Sequence, residues 1–165
     1  MIVSDATPSQ PHGEAITPAG LSALQAELEQ LETEGRRAMG ERLLAARSLG
    51  DLKENAEYHI AKEDQAHLET RIKRLRARLR DAVVVEPAGD GDTFAFGGTA
   101  EVVEEDTGTT HTWTIVGPTE ADISQGKLSA ESPVASALLG HAAGEVVEVE
   151  TPRGARRYRI DKLVS

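Results

Sequence analysis

Two heptad runs, one on either side of a short acidic turn, limit the fold of this chain more than any other feature. The first run starts with leucines at 3-4-3 spacing and then weakens: Leu21, Leu24, Leu28, Leu31, Gly35, Ala38, Arg42 and Ala45. The second run keeps the heptad spacing throughout: Tyr58, Ala61, Gln65, Leu68, Ile72, Leu75, Leu79 and Ala82. Apolar residues that recur in this way form the seam of a coiled coil.

The two runs are complementary if the chain reverses near Asp51, because the residue numbers of facing positions then sum to about 103 at every level. This register predicts four apolar pairs: Leu24 with Leu79, Leu28 with Leu75, Leu31 with Ile72, and Ala45 with Tyr58. It also predicts three ion pairs: Glu27 with Arg76, Glu29 with Arg74, and Glu32 with Arg71. We therefore predict a long antiparallel helical hairpin.

The ends of the first helix carry ordinary boundary signals. Thr17 followed by Pro18 is typical of an N-cap and a first helical residue. Gly50 is a usual stop for a helix that ends just before it. Within that helix, Gly35 and Gly40 each cost about 1 kcal/mol relative to alanine, which predicts local softness.

The pattern changes from helical to strand-like after the second run. The predicted strands are residues 99–104, 110–116, 145–150 and 155–163, arranged as two hairpins. Ser132-Pro133 caps a short apolar helix over residues 134–139, which Gly140 stops. The predicted class is α+β, with a disordered tail (1–15), an antiparallel coiled-coil hairpin with an acidic tip (16–82) and a globular α+β domain (83–165).

The charge is unevenly placed and argues against a nucleic-acid ligand for the free chain. Residues 1–80 hold 12 basic and 13 acidic side chains, whereas residues 81–165 hold 6 and 15, for a net charge of −10. Contacts to phosphate need a basic surface, so another protein would have to hold any nucleic acid. The chain has no cysteine and no apolar run of the ~20 residues that span a membrane. We expect a cytoplasmic monomer without membrane contact.

The turn between the two runs concentrates acid. Asp51, Glu54 and Glu57 fall within seven residues. Acids before a helix usually act as caps, and Asp51 three residues before Glu54 resembles a capping box. The same two carboxylates could hold Mg²⁺, which prefers oxygen ligands, although a partner would have to complete so small a site. The two interpretations are compatible and both stay open.

Basic side chains form two groups on the predicted hairpin. The first is a dense run on the second helix: Arg71, Lys73, Arg74, Arg76, Arg78 and Arg80. It could be a nucleic-acid helix, but the facing glutamates favour a ladder of ion pairs between the helices. The second group, Arg47 and Lys62, lies near the turn and outside that ladder. These two residues are candidates for a docking contact, and a solvated surface explains them equally well.

At the turn, the residues GDLKENAEYH (50–59) followed by Ala61-Lys62-Glu63 resemble the bacterial GreA/GreB transcript cleavage factors. The later Ser132-Pro133-Val134-Ala135 and Ala137-Leu138-Leu139-Gly140 carry the same resemblance, which covers about 150 residues from Ile16 to the C-terminus. The resemblance implies an FKBP-like C-terminal domain, not known as an isomerase, that docks at the rim of the secondary channel of RNA polymerase. It implies that the coiled coil enters this channel, and that the polymerase then cuts its own backtracked RNA.

The resemblance also implies a role for each matching residue. Asp51 and Glu54 match the tip acids that act in the polymerase active site and help to hold its second Mg²⁺. Asn55 and Tyr58 match residues that support the tip. The residues implied to contact the channel and the RNA 3′ end are Arg47 and Lys62. The residues implied to dock on polymerase are Ser132, Pro133, Leu138, Leu139 and Gly140.

Three functions are compatible with these features. The first is an elongation factor that activates the polymerase nuclease and is not itself an enzyme. The second is a Gre-like inhibitor that occupies the channel without cleavage, but such tips tend to be more densely acidic than Asp-x-x-Glu-Asn. The third is a coiled-coil adaptor or prolyl isomerase unrelated to transcription. Only Trp113 and Tyr158 are large rings after Phe96, too few for a typical proline pocket.

Overall fold

Long helices and one five-stranded sheet account for most of the chain. The computed structural model describes residues 13–51, 54–86 and 91–164. Backbone contacts define two units: Leu21–Asp81 forms one, and the described residues up to Gly20 form the other together with those from Ala82 on. The α+β class is confirmed, but the hairpin unit begins several residues later than predicted.

The hairpin consists of two antiparallel arms, of which residues 18–20 belong to the other contact unit. The first arm contains α1 (Pro18–Gln30), a π-helical turn (Leu31–Gly35) and α2 (Arg36–Arg47), and the second arm is α3 (Ala56–Asp81). The predicted N-cap of α1 is confirmed, because Thr17 Oγ1 accepts a hydrogen bond from the Gly20 N–H at 3.0 Å. With 26 residues, α3 is about 39 Å long.

The seam of the second arm follows the predicted heptads. All eight predicted positions, from Tyr58 to Ala82, are buried or half-buried. Ala61, Ile72 and Leu75 are fully buried, with exposures of 0%, 1% and 4%. Uninterrupted α-helical geometry keeps a heptad pattern on one face, so the sequence alone locates this seam.

The first arm follows the prediction only as far as its π-helical turn. Three predicted seam positions beyond the turn are exposed: Ala38, Arg42 and Ala45. In each case the next residue in the sequence is buried or half-buried instead: Met39, Leu43 and Ala46. A π-helical turn holds one residue more than an α-helical turn, so every later position moves by one around the helix. The predicted pairing of Ala45 with Tyr58 is therefore wrong.

The shift in the first arm has an energetic reason. An uninterrupted α-helix would bring Ala38 and Arg42 into the seam, whereas the π-helical turn brings in Met39 and Leu43. Full burial of a leucine or methionine contributes about 1.5–3 kcal/mol, which offsets the poorer hydrogen bonding of the turn. Arg42 is then left on the flank of the hairpin, where its Nη1 lies 2.5 Å from Oδ2 of Asp64.

Ion pairs join the arms, but with partners exchanged relative to the prediction. Glu27 pairs with Arg71 and Glu32 pairs with Arg76. The residue numbers of these pairs sum to 98 and 108, on either side of 103, because long side chains reach about one turn along the axis. Two further pairs join the arms: Arg36 with Glu69 and Arg42 with Asp64. The ladder is confirmed, and each of these exposed pairs contributes at most about 1 kcal/mol.

A short parallel ladder connects the two parts of the second unit. β1 (Ala15–Ile16) pairs with β2 (Val83–Val84), which directly follows α3. Ile16 is 3% exposed and therefore belongs to the packed part of this unit. The predicted disordered tail is wrong at its last residues, because Ala15 lies in a strand, and residues 1–12 lie outside the described part of the chain.

Two carboxylates reinforce this ladder. The Glu14 carboxylate accepts hydrogen bonds from the backbone N–H and the hydroxyl of Thr119. The Glu120 carboxylate accepts from the N–H and hydroxyl of Thr17 and from the N–H of Gly117. Residues far apart in sequence supply both sets of bonds, which no local pattern predicts.

The main sheet contains both predicted hairpins. Its strands are β3 (Thr99–Glu104), β4 (Thr110–Val116), β5 (Lys127–Ser129), β6 (Val146–Thr151) and β7 (Gly154–Val164). Their order is β5-β4-β3-β7-β6, and all neighbours are antiparallel except β4 and β5. The sequence pattern did not predict β5, which is only three residues long.

The core of this unit lies between one face of the sheet and a short helix, α4 (Pro133–Leu138). The predicted helix is confirmed, including its cap: Ser132 Oγ accepts from the Ala135 N–H at 3.2 Å. Ile115 and Leu138 are each 0% exposed, and Trp113 is half-buried and packs against this core. Core packing was the predicted role of Ile115 and Trp113.

Candidate functional site

The first arm ends in a tightly bonded turn. α2 stops at Arg47, and both the N–H and the hydroxyl of Ser48 donate to the carbonyl of Ala45, at 3.2 and 2.6 Å. Gly50 follows with φ of +126°, a conformation that side-chain-bearing residues rarely adopt. The glycine therefore allows the chain to turn back within a few residues of the helix end.

Asn55 connects the two arms at this turn. Its Nδ2 donates to the carbonyl of Ala46 at 2.6 Å, and its Oδ1 accepts from the N–H of Tyr58 at 3.0 Å. The second bond makes Asn55 the N-cap of α3, which begins at Ala56. The sequence favoured Asp51 and Glu54 as caps, and the structure gives that position to Asn55.

The two tip acids lie between these fixed points. Asp51 and Glu54 are both exposed, and Glu54 directly precedes the cap residue. Glu57 lies in the first turn of α3 and is also exposed. The carboxylates of this turn are therefore exposed rather than buried, and a partner protein can reach them.

Tyr58 lies beneath a basic side chain of the opposite arm. The guanidinium carbon of Arg47 is 5.8 Å from the centroid of the Tyr58 ring, within the range of a cation–π contact. Tyr58 itself is half-buried and occupies a seam position. Its ring therefore holds Arg47 against the hairpin close to the acids.

Arg47 and Lys62 share one flank of the hairpin. In an antiparallel coiled coil the g positions of the two helices face each other, and so do the e positions. Arg42 and Asp64 occupy g positions and pair at 2.5 Å, which places Arg47 and Lys62, at e positions, on the opposite flank. Lys62 is exposed and donates to Oε1 of Gln65 at 3.2 Å.

The five predicted docking residues surround α4 but differ in accessibility. Pro133 and Gly140 are exposed, whereas Ser132 and Leu139 are half-buried. Leu138 is 0% exposed and packs in the core, so it cannot contact a partner directly. Its implied docking role is corrected to a structural one, and the exposed ends of α4 remain available.

The acids of the tip match Mg²⁺ in chemistry but not in number. Carboxylate oxygen is the ligand that this ion prefers, and both Asp51 and Glu54 are exposed. No group of three or more potential His, Cys, Asp or Glu ligands occurs among the described residues. The described part of the chain therefore does not form a complete metal site, and further ligands would come from elsewhere.

A second polar cluster was not found from the sequence. The Glu104 side chain is 9% exposed, and its Oε1 lies 2.5 Å from Nη1 of Arg156. His111 stacks on Trp113 at 4.7 Å, with its Nε2 3.9 Å from Glu104. Trp113 in turn contacts Tyr158, 5.7 Å away. The pairing of β3, β4 and β7 brings these residues together. In the sequence, the alternation of side chains along each strand indicates only which residues of that strand share a face.

Over residues 13–51, 54–86 and 91–164, no helix combines the length and the apolar composition needed to cross a bilayer.

Comparisons with known proteins agree over nearly the whole chain. Residues 14–84 match the family model described as transcription elongation factor, N-terminal, and residues 88–163 match the one described as transcription elongation factor, GreA/GreB, C-term. The transcription elongation factor GreA of Bradyrhizobium diazoefficiens is 46% identical over 149 residues, which cover 90% of this chain and 95% of that protein. That of Jannaschia sp. is 45% identical over 148 residues, with the same coverage of both chains.

A solved structure is also similar. The GreA factor homolog 1 (Gfh1) protein of Thermus thermophilus is 29% identical, and the match covers 93% of this chain and 99% of that one. The TM-score of this match is 0.41. The two family models and the identity to the curated relatives are sufficient: the chain belongs to the GreA/GreB family of transcription elongation factors.

Proposed function

We propose that this chain binds bacterial RNA polymerase, inserts its helical hairpin into the secondary channel and stimulates the polymerase to cleave backtracked RNA. The observation that carries the proposal is the exposed pair Asp51 and Glu54 at a turn that is bonded on both sides. Cleavage would rescue arrested complexes in the cytoplasm. The chain would act as a monomer and as an activator, because the bond-breaking centre belongs to the polymerase.

Asp51 and Glu54 would share the second Mg²⁺ of the polymerase with ligands on that enzyme. When bound, this ion supplies charge that stabilises the attacking and leaving oxygens of phosphodiester hydrolysis. The described residues form no complete site of their own, so the free chain would bind Mg²⁺ weakly. The role of this chain is to bring two oxygen donors to a place that its globular unit cannot enter.

The remaining site residues would hold the chain in place. Arg47 and Lys62 lie on one flank near the tip, where cationic side chains suit the phosphates of the RNA 3′ end and acidic walls of a channel. Tyr58 supports this arrangement through its contact with Arg47. The polymerase rim would be contacted around the ends of α4, by residues whose side chains or backbone are accessible: Ser132, Pro133, Leu139 and Gly140.

The test is a transcript cleavage assay on stalled, backtracked elongation complexes with a matching bacterial polymerase and Mg²⁺. Wild type should release short 3′ fragments, and Asp51→Asn or Glu54→Gln should remove that stimulation while binding to polymerase persists. Glu63→Gln is the matched control, because Glu63 is an exposed acid two turns into α3 that makes only a 3.8 Å ion pair with His67 among the described residues. Its cleavage should equal that of wild type.

Two results would contradict the proposal. Full cleavage by both tip variants would mean that the acids are not involved. Slower nucleotide addition without cleavage by wild type would identify the chain as a channel-binding inhibitor instead.

A further inference from the structure

One amide side chain ties the end of the first arm to the start of the second. Asn55 donates through Nδ2 to the last turn of α2, at the carbonyl of Ala46, and accepts through Oδ1 from the first turn of α3. An amide is suited to this because it carries a donor and an acceptor on the same group. A serine, threonine or aspartate could cap α3 equally well, so capping alone does not require asparagine.

Such a constraint acts on the turn that carries the tip acids. Asp51 and Glu54 are exposed, so burial does not fix their positions, and Gly50 has more backbone freedom than any other residue type. The bond from Asn55 to Ala46 closes a ring of backbone around the residues between them. Closing this ring restricts the loop that carries both carboxylates, whereas a cap on α3 restricts only the first turn of that helix.

We infer that Asn55 is a positioning residue for the tip: its bond to Ala46 holds Asp51 and Glu54 in the one arrangement in which both reach the same metal ion. The inference rests on the proposed function and deepens it. Asn55 does not need to touch the metal or the RNA. Its effect is on geometry, and a displacement of about 1 Å at a reacting centre can lower a rate by up to 10²-fold.

Three substitutions separate the two bonds of Asn55. Asn55→Ser and Asn55→Asp both keep an oxygen that accepts from Tyr58, and both lose the donor to Ala46. The serine variant adds no charge, so agreement between the two excludes an effect of charge. Asn55→Ala loses both bonds. Ser48→Ala is the matched control, because the Ser48 hydroxyl donates to Ala45, within the first arm.

The first readout is independent of cleavage. Amide hydrogen exchange of the free chain should become at least tenfold faster at Leu49, whose N–H donates to the same Ala46 carbonyl at 3.2 Å, in the serine and aspartate variants. The Tyr58 amide should stay protected in both, and should lose protection only in Asn55→Ala. Ser48→Ala should leave the Tyr58 amide unchanged.

The second readout is cleavage at saturating factor over a range of Mg²⁺ concentrations. Asn55→Ser and Asn55→Asp should lower the maximal rate about 10- to 100-fold and raise the Mg²⁺ concentration for half-maximal cleavage. The factor concentration for half-saturation should change less than about threefold, because the docking surfaces are intact. A purely structural role would instead weaken binding and leave the Mg²⁺ dependence unchanged.

The outcomes separate this inference from the function on which it rests. Wild-type rates and Mg²⁺ dependence in Asn55→Ser, or unchanged exchange at the tip, overturn the inference alone. Absence of stimulated cleavage with wild type overturns the proposed function and the inference together. A third result supports both: Asn55→Ser loses cleavage, and amide exchange at the tip becomes faster. In that result the Tyr58 amide stays protected, and the factor concentration for half-saturation is that of wild type.

Discussion

Because of its π-helical turn, the first arm should tolerate the loss of one residue better than the gain of one. The arm contains one residue more than an α-helix on the same seam would hold. Deleting Glu34 should let the turn become α-helical and leave Met39, Leu43 and Ala46 facing α3. Inserting one alanine after Glu34 adds a second extra residue, which rotates α2 by about 100° and brings Ala38 and Arg42 into the seam.

The deletion and the insertion should change the free energy of unfolding by amounts that differ several-fold. Deletion removes the exposed ion pair between Glu34 and Arg37, so the free energy of unfolding should change by at most about 1 kcal/mol. Insertion exposes Leu43, now 8% exposed, and part of Met39, which should lower that free energy by about 3 kcal/mol. It also forces Arg42 toward an apolar site and away from Asp64.

Urea unfolding of the full chain, followed by far-ultraviolet circular dichroism, measures these changes, since the hairpin holds the long helices. Leu43→Ala supplies an internal check: it should lower the free energy of unfolding by about 2 kcal/mol in the deletion variant and by almost nothing in the insertion variant. If deletion and insertion lowered the free energy of unfolding equally, the conclusion that the turn contains one extra residue would be refuted.

Three further predictions concern single residues. Gly40→Ala should stabilise the hairpin by about 1 kcal/mol in the same urea assay, because a Cβ at this helical position meets nothing within 4 Å. Gly117→Ala should instead lower the melting temperature of the unit that contains the five-stranded sheet by several degrees, because its Cβ would lie 1.9 Å from the carbonyl oxygen of Ala15; an unchanged melting temperature would contradict the position of Ala15 beside Gly117. The hydrogen bond from His141 lowers the pKa of the Glu145 carboxyl, so its stabilising contribution is present above the ordinary carboxyl pKa and is lost as the pH falls through the lowered value. In His141→Ala, carboxyl NMR titration should show the Glu145 pKa rising toward the ordinary value, and an unchanged titration would exclude this hydrogen bond.

The candidate site was predictable where chemistry depends on residue type. Asp51 and Glu54 stand out because acids at a helical turn are visible in the sequence, and the structure leaves both exposed. The role of Asn55 could not be derived in the same way, because its bond to Ala46 joins two arms. Leu138 shows the opposite error: a motif residue implied as a contact is buried, and only the packing of α4 on the sheet decides that.

The features that the sequence alone determined are local or periodic. The seam of α3, the cap of α4 and the two hairpins of the sheet follow from spacing and turn residues, since these depend on neighbours within a few positions. Tertiary structure decided the rest. It placed Leu43 rather than Arg42 in the seam, because burial against α3 outweighs the cost of a π-helical turn. It also turned the end of the expected tail into β1, because the partner strand lies about 70 residues away in the sequence and no short-range pattern reports it.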